Sequence, residues 1–183
     1  MIDQSCSYCT SDHIDSRILS RYYIDTKNVN IIIHNSAYQS MCGRCGESDV
    51  TIMDINGLLR ESAMILIYGH HRLSMKALEY LRTIAGLCID EADAALADEL
   101  NIDKESVAQL RSSLDHDAFS VDPAYDLAAR KVFGHRIANT IDGAPFNVDR
   151  IPENPTALMT QAEPQLDFVF DGHDWSPLPS CDD

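Results

Sequence analysis

The sequence predicts an α+β protein: a small N-terminal β-rich zinc domain followed by an all-α helix-turn-helix domain and an irregular acidic tail. Three observations carry that expectation. Two Cys-x-x-Cys pairs, Cys6/Cys9 and Cys42/Cys45, flank a segment rich in β-branched and aromatic residues. Between residues 74 and 111, apolar side chains recur at helical spacing, with turn residues separating the blocks. Beyond Gly143 the chain holds most of its prolines and many acids, the composition of extended chain. The expected boundaries are 1–50 for the zinc domain, 51–72 for a connector helix, 73–118 for the helix-turn-helix domain and 119–183 for the tail.

Each element has its own signal. "RYYIDTKNVNIII" reads as a hairpin, with Tyr22 to Ile24 on one strand, Val29 to Ile33 on the next, and "DTKN" turning between them. Leu58 to Tyr68 form a helix whose apolar set is too broad for full solvation. Ser74 is placed to N-cap a helix carrying Leu78, Leu81, Ile84 and Ala85, and Gly86 to stop it. "IDEADAALADEL" and "KESVAQLRSSL" are two further helices broken by "NID". One helix of the tail starts after Pro123 and runs to about residue 137, and "LDFVF" at 166–170 is a strand-like patch suited to a sheet edge.

The cysteines carry the clearest chemistry. A Cys-x-x-Cys turn puts two thiolates on one knuckle, and two knuckles complete a tetrahedral S4 shell for zinc. Neither pair opens a helix in a βαβ context, so redox or disulfide use is the weaker reading. Cys6, Cys9, Cys42 and Cys45 close the shell without help from His13 or His34. A closed shell has no open position and is structural. Cys88 and Cys181 stand alone.

The helical block matches helix-turn-helix spacing: Leu96-Ala97, the turn at Asn101, then Val107 and Leu110. Asn101 tolerates the left-handed conformation and Asp103 can cap the next helix. On a recognition helix from Lys104 to Arg111, the expected DNA contacts are Lys104, Ser106, Gln109 and Arg111. Charge opposes this reading. The chain has a net charge of −15, and such a surface resists nucleic acid and anionic membranes. Residues 113–183 supply −9 of it, from four basic and thirteen acidic side chains.

The order of parts resembles the MqsA/YgiT-type zinc-finger antitoxins. The likeness lies in the N-terminal Cys-x-x-Cys, the β-rich spacer, "CGRCGE", and then "LSMKALEYLR" leading into the helix-turn-helix. It covers roughly residues 5–112. The resemblance implies a transcriptional regulator that dimerises through its helical domain. It also implies operator DNA binding, and a zinc domain that neutralises a toxin partner. The chain departs from the family pattern by extra residues around "CIDE", by Arg111 where an acid is usual, and by the acidic tail.

The alternative expectation is an acidic protein-binding adaptor or inhibitor that mimics nucleic acid for a basic partner and binds no DNA. No nucleophile elbow or phosphate loop is present, so no enzyme activity is expected. No apolar run of membrane-spanning length and no basic-then-apolar start occurs, so a cytoplasmic protein without a secretory signal is expected. "LDHDAF" around His116 and "FDGHDW" at Asp171, His173 and Asp174 are weak cation candidates, and His70-His71 reads as a solvated helix end.

Overall fold

In the computed structural model, residues 5–113, 121–139, 146–157 and 164–178 are described; His116 and Cys181 lie outside them. The chain divides into two compact units. The first comprises the described residues among 1–25, 30–58 and 165–183; the second, those among 26–29 and 59–164.

The first unit is built around one long strand. Strand β1 (Ile14–Asp25) pairs antiparallel with β2 (Asn30–Cys42) along its whole length. The other side of β2 is shared. Its second half, Ala37 to Met41, pairs antiparallel with β3 (Ser48–Ile52). Its first half, Asn30 to His34, pairs parallel with β4 (Gln165–Phe170), and β4 pairs antiparallel with β5 (Trp175–Pro177). Between Leu19↔Ala37 and Arg21↔His34 the register shifts, with the extra residue on β2. Asn35 sits there at φ 53°, a left-handed angle that asparagine accepts. This bulge marks the place where β2 changes partner. Ser36 closes the junction: its hydroxyl donates to the His34 carbonyl at 2.7 Å and accepts from the Phe170 amide at 3.0 Å.

Burial follows from that position in the sheet. Ile31, Ile32 and Ile33, which pair with β1 on one side and β4 on the other, are all fully buried, so β2 buries side chains on both its faces here. Phe168 and Trp175 join them. The Trp175 indole N–H donates to the Asp54 carbonyl at 3.0 Å, which satisfies its one polar atom.

The second unit is helical. Helix α1 spans Ile55–Tyr68, its first four residues counted with the first unit, and α2 spans Met75–Ile84, α3 Ile89–Leu100, α4 Lys104–Ser113 and α5 Pro123–Asn139, with a 3-10 turn at Val148–Arg150. The caps are those the sequence supplies. The Ser74 hydroxyl accepts from the Ala77 amide at 3.2 Å, and Gly86 turns left-handed at φ 68° after α2. Glu91 accepts from the Cys88 amide at the start of α3. Asn101 ends it at φ 54°, and the Ile102 amide returns to the Ala97 carbonyl. Asp103 caps α4 by accepting from the Ser106 amide at 2.7 Å, and Asp122 caps α5 from the residue before Pro123.

The expected architecture needs correcting. The sheet is not a small N-terminal domain, because "LDFVF" enters it as the parallel strand β4 and β5 follows. The tail is therefore not an irregular arm over its described residues. Nor is the helical part a plain helix-turn-helix: α5 packs on α3 and α2, so α3 and α4 belong to a larger helical set. Val107, Leu96, Phe133 and Ile137 are buried in that set.

One buried ion pair ties α5 to the end of α1. Arg130 and Asp126, four residues apart on α5, are both 0% exposed and meet at 2.9 Å. The guanidinium also donates to the carbonyls of Leu66 (2.9 Å), Ile67 (2.6 Å) and Gly69 (2.8 Å), and to that of His71. Asp126 in turn accepts from the Leu73 amide at 2.7 Å. Helix α1 has no basic residue in its last turn; the Gly69 amide also reaches the Leu66 carbonyl, and Arg130 supplies the donor at the buried Ile67. His70 and His71 follow α1 and are both exposed, and the His71 ring bonds the Thr156 hydroxyl, the two residues forming a parallel bridge.

Candidate metal centre

Two knuckles converge at one end of the sheet, and their backbones repeat each other. The Cys6 amide donates to Ser11 and the Thr10 amide to Cys6; the Cys42 amide donates to Glu47 and the Gly46 amide to Cys42. In both loops the residue four past the first cysteine is left-handed, Thr10 at φ 56° and Gly46 at φ 75°. The Gly43 amide reaches the His13 carbonyl at 2.9 Å and links the knuckles. The register of β1 on β2 sets Ile14 opposite Cys42, so the hairpin itself delivers the second knuckle to the first.

The four sulfurs form a cluster. Cys6 and Cys45 are 3.6 Å apart, Cys9 and Cys42 3.5 Å, and all four atoms lie within 4.8 Å of one another. A disulfide needs about 2.05 Å between sulfurs, so none of these contacts is one. A tetrahedron with metal–sulfur bonds of about 2.3 Å has edges of about 3.8 Å, close to what is seen. The four cysteines can hold a metal ion.

Their electrostatics agree with that chemistry. The backbone N–H groups of Cys45 and Arg44 favour the thiolate of Cys42 and draw it down to about 6. At Cys45 the Glu47 amide also pulls down. Desolvation and the thiols of Cys42, Cys9 and Cys6 outweigh it and push Cys45 up to about 12. Four sulfurs this close cannot all carry charge unaided, and a divalent cation removes the conflict.

Thr10 gives a first prediction. A β-branched residue at positive φ is strained, and its counterpart in the second knuckle is glycine. Thr10→Gly should raise the stability of the metal-bound protein by about 1 kcal/mol, read as an increase in thermal midpoint. Among the described residues the Thr10 hydroxyl bonds only the adjacent Cys9 carbonyl, so little is lost. An unchanged or lower midpoint would show that no strain resides there.

The other expected site residues lie on α4, and each meets an acid or solvent. Arg111 makes two bonds to the buried Asp93, at 3.1 and 3.0 Å, and Asp93 holds its guanidinium firmly charged. Lys104 bonds Asp90 at 3.1 Å, and the Ser106 hydroxyl bonds Asp103 at 2.7 Å. Gln109 is exposed. Asp171 accepts from the amides of His173 and Asp174, which accounts for "FDGHDW" as a turn. His34 bonds Asp167 at 2.7 Å across the β2–β4 pair, not the cysteines. Sequence reading misses Arg130 and takes Asp93 only as one of the acids unfavourable to phosphate; Asp126 and Arg130 at i, i+4 are the one local sign of the α5 pair.

Comparison with family models, curated proteins and solved structures finds no match for this chain. Among the described residues, no helix is long and apolar enough to cross a membrane.

Proposed function

We propose that this chain is a zinc-stabilised, acidic adaptor that binds a basic protein partner and does not read DNA through α4. Zinc is the ion that suits four thiolates in a closed tetrahedral shell, where it needs no redox role and leaves no catalytic position. One observation carries the choice against DNA. The cations that would meet phosphate, Lys104 and Arg111, are already paired with Asp90 and Asp93. Releasing Arg111 would leave the carboxylate of Asp93, 4% exposed, without its cation. Around them Glu91 and Asp98 add further repulsion for a polyanion. The surplus of acid on the chain favours a cationic partner surface and speeds encounter with it.

Fluorescence anisotropy against duplex DNA from the chain's own upstream region, with a scrambled duplex as control, tests this. At near-physiological salt neither duplex should bind. Selective binding to the upstream duplex, abolished by Arg111→Ala, would overturn the adaptor reading in favour of a regulator.

A further inference from the structure

Strand β1 lies at one edge of the sheet, and among the described residues no strand pairs with its outer side. It is long and regular, because the bulge opposite it belongs to β2. An open edge of this kind is a template for another strand. Ile18 in its middle is 55% exposed and shares a face with the exposed Tyr38 on β2.

The charges on "IDSRILSRYYID" decide what can pair there. A symmetric antiparallel pair of β1 strands that keeps the sheet faces aligned must set residues of the same parity opposite each other. Among the registers that align at least nine residues of each β1, all but one oppose like charges. Centring on Arg17 opposes two like charges, centring on Leu19 sets Arg17 against Arg21, and centring on Ser20 sets Asp15 against Asp25. Centring on Arg21 stacks Arg21 on its copy. Centring on Ile18 sets Asp15 against Arg21 twice, with no like pair, over Ile14 to Tyr22 of both strands. On the other face it sets Ile18 against Ile18 and Ile14 against Tyr22, Ser16 against Ser20. Asp15 and Arg21 are exposed, and among the described residues neither is in an ion pair. Arg17, which has no acid opposite it in this register, is instead bonded to Gln39 at 2.9 Å.

We propose that β1 is a self-association edge: two copies of this chain join antiparallel through β1, with the two-fold axis at Ile18 and reciprocal Asp15–Arg21 pairs. The two sheets become one continuous sheet, and Ile18 and Tyr38 of both copies form a single apolar strip. The remaining charges on the edge exclude the other long registers.

Sedimentation velocity on the full-length, metal-loaded, reduced chain tests the pairing over a concentration series reaching about 0.1 mM. The unaltered chain should sediment at twice its monomer mass. Ile18→Lys, which sets two ammonium groups on the axis, should weaken the dimer at least about tenfold. Asp15→Arg should weaken it too, and Asp15→Arg with Arg21→Asp should restore it, because the swap rebuilds both pairs. All these side chains are exposed, and circular dichroism checks that each variant folds. A chain that stays monomeric throughout the series overturns the proposal. So does a dimer indifferent to Ile18→Lys and Asp15→Arg, or a swap that fails to restore it.

Discussion

Arg130→Met should destabilise the helical unit by about 3–5 kcal/mol, the cost of removing one partner from a fully buried ion pair. The effect is large because Arg130 does two jobs at once. It neutralises Asp126, and it supplies donors to the carbonyls of Leu66, Ile67, Gly69 and His71 where α1 ends. Methionine fills similar volume but leaves a buried carboxylate without its cation and the carbonyls of Ile67 and Gly69 without this donor. At about 2–4 °C per kcal/mol for a chain of this size, the thermal midpoint should fall by roughly 10 °C. Adding Asp126→Leu should recover only part of the loss. It removes the unpaired charge, but the carbonyls stay orphaned and the Leu73 amide loses its acceptor. Arg130→Lys should also fall short, since an ammonium lacks the planar fork that spans these acceptors. A midpoint within 2 °C of the original after Arg130→Met would contradict the role assigned to this pair, that being roughly the effect of an ordinary surface change.

The second large effect is expected at Cys42. Cys42→Ser removes the thiolate that the Cys45 and Arg44 amides favour most strongly. The affinity for metal should fall by orders of magnitude. The first unit should then lose its cooperative thermal transition, because binding free energy at a structural S4 site is folding free energy. Little else fixes this end of the sheet: Tyr8 and Met41 are exposed there, and Cys6, Ser11 and Cys42 are the buried residues of the knuckles. Near-ultraviolet circular dichroism and metal content, measured on the same sample, report the two consequences together. A Cys42→Ser protein that keeps both would leave the sulfur cluster without a structural purpose.

What the sequence shows directly is whatever covalent neighbours determine. The four metal-ligand candidates were legible because two residues between cysteines define a knuckle regardless of the rest of the chain. The ends of α2, α3, α4 and α5 were legible for the same reason: Ser74, Gly86, Asn101, Asp103 and Pro123 act within one turn of themselves. Contacts across long separations were not legible. The parallel pairing of β2 with β4 joins Ile33 to Phe168, and nothing near either residue names its partner. The apolar run at 166–170 announced a strand but not its sheet, so proline and acid content suggested a loose arm. Helices α3 and α4 and the turn at Asn101 lie where the spacing put them, but Leu110 is exposed and not an anchor, and spacing says nothing of α5, which packs on α3 and changes what the block is. The fate of Arg111 was hidden for a related reason. Asp93 is an ordinary acid in an acidic helix until the fold buries it beside that guanidinium.

The central claim is that Cys6, Cys9, Cys42 and Cys45 hold one metal ion as thiolates, and native mass spectrometry tests it most directly. The reduced chain, given zinc and then exchanged into volatile buffer, should carry one ion. A strong chelator should strip that ion and return the mass of four free thiols. A chain that retains no zinc, or whose mass shows the knuckle cysteines joined as disulfides, would contradict the account.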